Sequence, residues 1–265
     1  MPSPAIERIA GPGLDLLFHL APWDRAVLDG ESAVITEIRL HDLSLAAQDL
    51  AKFRAWCEVH HVVLVTARLE HDRLAEAGFL EAHGFRFIEL NYRPVIHNLS
   101  AYAPDPAIKV RLAGRELAAA ITEIAGQIFE TGRFHMDPAI GSGVGNRRYA
   151  MWAGRAFENP AQQIMVCETN GGLAGFMVVE APRPDARFWS LVGLAQGLAG
   201  QGLGGRVWRS VLAHHAAEGV IEVSTSISSH NTAVHNLYAS LGFRFPAPTM
   251  MLHWHPGAAP DGRPL

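Results

Sequence analysis

The chain is expected to fold as an α/β (α+β) protein: mixed sheets flanked by helices, in two similar halves. Short apolar runs rich in β-branched residues alternate with amphipathic segments of helical period along most of the sequence. Asn170-Gly171-Gly172 parts two apolar runs, a hairpin signal that puts antiparallel strands into the second half. Phe79-Leu80-Glu81-Ala82-His83-Gly84-Phe85-Arg86-Phe87 is echoed by Leu237-Tyr238-Ala239-Ser240-Leu241-Gly242-Phe243-Arg244-Phe245. Each reads as a helix end, a glycine cap and an aromatic strand start.

In the first half the pattern predicts strands over 32–40, 62–67 and 85–92, with helices over 43–59 and 71–83. His41-Asp42 before Leu43 offers a helix cap. The stretch 97–107 holds Pro104 and Pro106 and little periodicity, so the chain is divided there, into domains 1–102 and 103–265. Beyond it come a strand (108–112), a helix (115–129), a polar loop (130–138) and a helix (146–157). Strands over 163–169, 173–180 and 188–195 come next, then a helix over 203–217. A strand (221–227), a short helix (233–241) and a last strand (249–254) close the second half. The tail from 256 to 265 reads as disordered.

Composition narrows the function. Of 265 residues, 49% are hydrophobic and the net charge is −4, which fits an ordinary globular protein and gives no basic face for nucleic acid. Cys57 and Cys167 sit in apolar segments, as buried free thiols in a reducing cytoplasm would. The start, MPSPAIERIAGPG, lacks a basic region followed by an apolar core, and no apolar run reaches membrane-spanning length. A cytoplasmic protein with no membrane partner is expected. The 14 histidines invite a metal reading. His60-His61 and His214-His215 are adjacent pairs whose side chains diverge. His253 and His255 share one face of a strand, but the sequence offers no third ligand nearby, so no metal is expected.

The most informative stretch runs from Val192 to Arg206. An apolar strand enters a loop with glycine at 197, 200, 202, 204 and 205, and an amphipathic helix leaves it. Glycines before a helix let backbone N–H groups approach an anion, and the helix N-terminus adds partial positive charge. The ligand implied is a phosphate or pyrophosphate. Gly200-x-Gly202-x-x-Gly205 formally matches a dinucleotide fingerprint, with Glu222 near the place of a ribose-binding acid. The preceding hairpin, the short remaining chain and the position of Glu222 at the start of its strand all weaken that reading.

Residues downstream of the loop favour another. Ser228-Ser229-His230-Asn231-Thr232-Ala233-Val234-His235-Asn236-Leu237-Tyr238-Ala239-Ser240-Leu241-Gly242-Phe243, taken with the Gly-x-Gly loop, resembles the GCN5-related N-acetyltransferase superfamily. The resemblance spans roughly 107–255, and Ala199 departs from it where arginine or glutamine is usual. The degenerate first half and the Arg133-Phe134-His135-x-Asp137-Pro138 loop, followed by Tyr149 and Trp152, are similar to the TDP-fucosamine acetyltransferases within it. The resemblance implies an acyltransferase moving acetyl from acetyl-CoA, its co-substrate, to a primary amine such as a nucleotide-linked amino sugar. A homodimer is compatible with it.

It also implies site residues. Backbone groups of Leu191–Leu194, with Val192 and Leu194 foremost, pair with the pantetheine amides. Gly200, Gln201, Gly202, Leu203, Gly204 and Gly205 receive the pyrophosphate. Asn231 contacts the cofactor, though as a residue type it equally suits a helix N-cap. Tyr238 donates a proton to the departing sulfur; its alternative is a packed aromatic. Arg133, His135 and Asp137 are substrate-binding candidates, Arg133 because guanidinium pairs well with phosphate. The general base is open: the strand 188–195 carries no carboxylate, leaving Glu180, Asp137, His135 or a water chain. That gap favours a rival reading, a non-catalytic acyl-CoA sensor module; Tyr238 argues against it. The first half is expected to bind no cofactor. Its counterpart of the glycine loop is read as Arg68–Leu74, which has no glycine and two acids.

Overall fold

The computed structural model describes residues 5–197 and 202–257. Gly200 and Gln201, and all but the first two residues of the expected tail, lie outside them. In chain order the elements are β1 (Glu7–Ala10), β2 (Leu14–Leu20), α1 (Arg25–Leu28), β3 (Glu31–Leu40), α2 (Leu43–Val59), β4 (Val62–Glu70), α3 (Leu74–Ala82), β5 (Arg86–Tyr92) and β6 (Val95–His97). Then come β7 (Lys109–Leu112), α4 (Ala118–Ile128), α5 (Arg133–Met136), α6 (Ser142–Ala156), β8 (Gln162–Thr169), β9 (Gly172–Arg183) and β10 (Ala186–Leu194). The chain ends with α7 (Leu203–Ala217), β11 (Glu222–Thr225), β12 (Ile227–Ser228), α8 (Thr232–Ser240) and β13 (Thr249–Trp254).

These elements form two units. Unit 1 takes residues 5–91, 133–144 and 247–257; unit 2 takes 92–132 and 145–246. The division is therefore not the single cut at 102/103 expected from the proline-rich stretch. In unit 1 the strands run β1-β2-β3-β4-β13-β5. β2 is antiparallel to β3, β3 is parallel to β4, and β13 lies antiparallel to both β4 and β5. One face, with Leu16, Ile35, Ala67 and Leu252, packs on Leu50 and Phe53 of α2 and Leu80 of α3. On the other face Leu64 packs against Phe134 and Ile140 from the 133–144 segment.

The β1–β2 hairpin, absent from the sequence expectation, turns at Gly11-Pro12-Gly13 and lies hard against α2. Asp49 of α2 is buried, and its carboxylate accepts the N–H groups of Gly13 (2.8 Å) and Leu14 (3.3 Å) while pairing with Lys52. Lys52 first, then the Gly13 N–H, hold that carboxyl below its ordinary range. A Cβ on Gly13 would stand 2.3 Å from the Ala46 backbone nitrogen.

In unit 2 the order is β6-β11-β10-β9-β8-β7. β9 is antiparallel to β8 and β10, β10 is parallel to β11, and β6 is antiparallel to β11. The β8–β9 hairpin forms where Asn170-Gly171 predicted it. The left-handed residue is Gly172 (φ +101°), just after the two central positions, which suits a turn followed by a bulge. The two units repeat one plan: β2-β3-α2-β4-α3 in unit 1 matches β9-β10-α7-β11-α8 in unit 2. The echo seen in the sequence is a shared helix stop. Gly84 (φ +91°) and Gly242 (φ +80°) are both left-handed. Phe85 N–H donates to Leu80 O and Phe243 N–H to Tyr238 O, at 3.1 and 3.0 Å.

Each sheet takes a strand from an unexpected part of the chain. Thr249–Trp254 was expected to close the second half, and it pairs with β4 and β5 of unit 1 instead. The corresponding place beside β11 is held by β6, from the stretch read as the approach to a linker.

Gly13→Ala is expected to destabilise unit 1 by about 1–3 kcal/mol, the range for forcing a methyl into a packed site. Denaturant unfolding monitored by tryptophan fluorescence checks it, and an unchanged midpoint would mean that the hairpin turn moves freely away from α2.

Candidate functional site

The site in unit 2 starts from an interrupted ladder. β10 pairs with β11 only from Ala186↔Glu222 to Trp189↔Thr225. There the Thr225 hydroxyl donates to the Trp189 carbonyl (2.8 Å), and the Thr225 N–H goes to Pro94 O. On its other side β10 slips register between Trp189 and Leu191, a bulge at Ser190 that bends the strand. Beyond it β10 stays paired with β9 through Leu194↔Gly175, and Ala195 N–H donates to Ala174 O. Antiparallel residues alternate in direction, so Leu191 and Gly193 face β9 with Ala195, and Val192 and Leu194 turn their N–H and C=O to the opposite edge. That is the edge along which β11 has ended.

The end of this strand meets the helix after the loop. α7 begins with Gly202 as N-cap at φ +74°, with no side chain capping it, so its first N–H groups keep no intrahelical partner. A Cβ on Gly204 would meet Leu237 of α8 at 3.5 Å and Leu194 of β10 at 3.6 Å. Glycine at 204 thus lets the strand end, the first turn of α7 and α8 converge. Gly205 leaves room for the guanidinium of Arg209, 3.2 Å from where its Cβ would stand, whereas Arg206 is held by Asp105 (2.7 Å).

α8 carries the remaining candidates. Asn231 is an N-cap, its side-chain oxygen accepting Val234 N–H at 3.2 Å, which leaves the amide nitrogen outside the cap. Tyr238 is only 2% exposed, within the cluster of Trp189, Trp208 and Phe243. Burial raises its phenol above the ordinary value; the hydrogen-bonding contact with Trp208, a donor, works against that, and Thr225 touches the same oxygen. Thr225 is the residue at which the β10–β11 ladder stops, so the Tyr238 oxygen sits at the head of the opened edge. Below it, His215 lies fully inside, with Trp189 donating to its Nε2 (3.1 Å) and Glu218 facing its Nδ1 (3.3 Å). Burial pushes that imidazole down to about 4, so it stays neutral as a core histidine.

Not every candidate belongs to this site. Glu180 lies opposite Phe188, where β10 is still paired with β11, and its carboxylate accepts from Gln162 (2.8 Å). Arg133, His135 and Asp137 are part of unit 1. The segment read as a polar loop contains the short helix α5, whose Phe134 is buried. Asp137 is itself buried, with its Oδ2 at 2.6 Å from His253 Nδ1 and 2.8 Å from His255 Nε2. Burial alone would raise its carboxyl; the two imidazole contacts outweigh that and hold it well below the ordinary range. Burial also pushes His253 down to about 4. A neutral ring beside an ionised carboxylate carries its proton on Nδ1, so Asp137 accepts from it.

Asp137 is also the third residue that the sequence did not supply to His253 and His255: their ligand-type atoms all lie within 4.8 Å. Both nitrogens approach one carboxylate oxygen at hydrogen-bond distance, whereas donors around a tetrahedral zinc stand roughly 3.3 Å apart, given bonds of about 2.0–2.1 Å. The arrangement is a hydrogen-bonded clasp between the 133–144 segment and the end of β13. Only the fold reveals it, because the partners are separated by more than a hundred residues in sequence.

The counterpart of the glycine loop in unit 1 is not Arg68–Leu74. By strand pairing it is His41-Asp42, between β3 and α2. There Asp42 caps α2 with its own carboxylate, which accepts from Ser44 N–H (2.9 Å). The missed β1–β2 hairpin had displaced the correspondence by one strand.

Residues 137–243 match the model of the Acetyltransferase (GNAT) family. Among solved structures, a tandem GNAT protein from the clavulanic acid biosynthesis pathway aligns with a TM-score of 0.58 at 16% identity, over 97% of this chain and 85% of that one. A GCN5-related N-acetyltransferase from Sphaerobacter thermophilus gives 0.60 at 15% identity, over 92% and 81%. A functionally unknown conserved protein from Staphylococcus epidermidis gives 0.68 at 10% identity, over 96% of each chain. At these identities the likeness is one of fold, and the fold is the tandem GNAT fold. No curated protein matches the chain in sequence. No helix among the described residues is long and apolar enough to cross a membrane.

Asp137→Ala is expected to lower stability by about 1–3 kcal/mol, the cost of leaving a buried donor without its acceptor. Chemical denaturation measures this. A variant with wild-type stability would show that the clasp contributes nothing to the fold and would return Asp137 to the substrate-binding candidates.

Proposed function

We propose that this protein is an acetyl-CoA-dependent N-acetyltransferase, in which unit 2 alone binds the cofactor and passes its acetyl group to a small primary amine. The observation that carries this reading is the opened edge of β10 between Tyr238 and the glycine-capped start of α7. Val192 and Leu194 offer alternating N–H and C=O groups, the complement of a pantetheine arm with its two amides. The N–H groups of Leu203, Gly204 and Gly205 at the head of α7 suit the pyrophosphate, with Gly202, Gly200 and Gln201 leading into it. In unit 1 the same place is a two-residue connection already capped by the Asp42 carboxylate, which would repel a phosphate.

In this reading the neutral amine attacks the thioester carbon, and backbone N–H groups on the opened edge stabilise the oxyanion. Collapse breaks the C–S bond, the electron pair goes to sulfur, and Tyr238 gives its proton to the thiolate. Asn231 adds a cofactor contact through its amide nitrogen. No side chain is assigned as base: β10 has no carboxylate from Phe188 to Leu194, and the amine loses its proton to water. Asp137 is engaged with His253 and His255 within unit 1, and the suggestion of a nucleotide-linked amino sugar as acceptor rests on the sequence resemblance of the 133–138 segment. Cys57 and Cys167 are buried, and burial pushes both thiols up to about 12, in keeping with a reducing cytoplasm. The lack of a strand carboxylate favours a second reading, an acyl-CoA sensor without turnover; release of CoA with a panel of amines separates the two.

Calorimetry is expected to give one acetyl-CoA per chain, with micromolar affinity typical of substrates. Gly202→Glu should abolish that binding, because it sets a negative charge at the phosphate cradle. Gly202→Ala shares the left-handed strain without the charge and separates the two effects. Undiminished binding in Gly202→Glu would place the cofactor elsewhere.

Tyr238→Phe is expected to cut kcat by about a hundred- to ten-thousand-fold, the usual worth of general acid catalysis, with little change in acetyl-CoA affinity. An acyl donor with a less basic leaving group should recover part of the rate. Near-normal turnover with chemistry rate-limiting would make Tyr238 a packing residue.

A further inference from the structure

Trp208 is 3% exposed, yet its indole nitrogen is a buried donor that completes no hydrogen bond of good geometry. A buried N–H without an acceptor is costly and needs a reason. The indole lies beside Tyr238, with ring centroids 6.5 Å apart and planes at 58°, and it contacts the phenol oxygen. On the other side of that oxygen is Thr225, whose own hydroxyl proton is committed to the Trp189 carbonyl. Thr225 therefore has only lone pairs to offer, and the Tyr238 hydroxyl can donate to it. The phenol oxygen thus has one acceptor that holds its proton in the resting state, and one donor whose bond is incomplete.

We propose that Trp208 is a positioning residue for proton donation by Tyr238, its indole N–H completing a hydrogen bond to the phenol oxygen as that oxygen becomes anionic. This rests on the acyl-transfer role proposed for Tyr238. As the C–S bond breaks, the Tyr238 proton goes to sulfur and the O–H electron pair stays on the tyrosine oxygen. The indole N–H, until then poorly partnered, gains a charged acceptor, and such bonds are shorter and stronger than neutral ones. The proton released by the attacking amine returns through solvent to the tyrosinate and closes the cycle. Thr225 fixes where the hydroxyl points before transfer, and Trp208 stabilises what is left after it. The Phe243 ring packs on Tyr238 with centroids 4.7 Å apart and carries no charge.

The test is kinetic. Trp208→Phe keeps an aromatic ring and removes the N–H. It is expected to lower kcat about ten- to a hundredfold, the worth of one hydrogen bond to a charged group, with the KM for acetyl-CoA little changed. The phenol then ionises less readily, so the alkaline limb of the kcat profile should move to higher pH. A loss of rate with an unmoved limb, or no loss at all, would make Trp208 a packing residue. A second measurement does not depend on that variant folding. In the wild-type protein the Trp208 indole N–H resonance should shift across the alkaline limb, and the shift should vanish in Tyr238→Phe. A resonance that does not move overturns the inference. If Tyr238→Phe itself keeps full turnover, the acid role fails and this inference falls with it. If only the Trp208 readouts are flat, the acid role stands and this inference alone is wrong.

Discussion

The architecture of unit 2 depends on the end of one parallel ladder. The carbonyl of Trp189 takes the hydroxyl of Thr225, the Thr225 amide turns to Pro94, and the bulge at Ser190 bends β10 while β9 still holds it. A sheet normally pairs every interior N–H and C=O, because an unpaired one away from water is costly. Here the ladder stops inside the sheet, and Val192 and Leu194 turn their polar groups into the gap. An interior edge of this kind is tolerable where an extended ligand with regularly spaced amides completes it. Tyr238 reaches the same point from α8, and α7 brings its uncapped N-terminus to the far end. In the proposed function, cofactor grip, carbonyl polarisation and proton donation are lined up by this one interruption in hydrogen bonding.

The two units place different groups at the same helix N-terminus. Both have a strand antiparallel to its predecessor and parallel to its successor, with a helix between. In unit 1 the connection is His41-Asp42, and the Asp42 carboxylate stands at the helix N-terminus, where it accepts from Ser44 N–H. In unit 2 a longer glycine-bearing connection ends on Gly202 in the left-handed region, an N-cap with no side chain of its own to cover the first amides. Charge reinforces the difference. A carboxylate at a helix N-terminus is favourable for the helix and unfavourable for an incoming anion. The first half therefore keeps stability where the second keeps a ligand surface.

Local signals made much of this legible in the sequence. The bounds of α2, α7 and β13 fall where periodicity and caps put them, and the shared glycine stop at Gly84 and Gly242 was readable as a repeat. Non-local pairings were not legible. Val95–His97 is a three-residue strand with no pattern of its own, and its place is set by β11, far along the chain. The sequence of Thr249–Trp254 suits a buried strand in either unit, so its partners, β4 and β5, could be read only from the fold. The 133–138 segment looked like a polar loop because its charged residues outnumber Phe134; that one ring, the clasp at Asp137 and Ile140 bury it. Asp137 shows the general difficulty. An acid in a loop reads as a surface group until two imidazoles from the other end of the chain are brought to it.

The candidate chemistry follows from what burial does to each group. Tyr238 lies in the apolar cluster with Trp189, to whose indole His215 is hydrogen-bonded, and burial acts on the two groups in opposite directions on the pKa scale, yet keeps both neutral. For His215 neutrality suits a core position, with its ring nitrogens engaged by Trp189 and Glu218. For Tyr238 neutrality means a phenol that keeps its proton at physiological pH until a stronger base appears beside it. A thiolate emerging from a thioester is such a base only if the tyrosinate left behind is stabilised, since an isolated phenol is the weaker acid. The contact of Trp208, a donor, opposes the effect of burial at that oxygen. A residue wholly inside the protein can then act as an acid without being exposed to water, because its conjugate base is solvated by the fold.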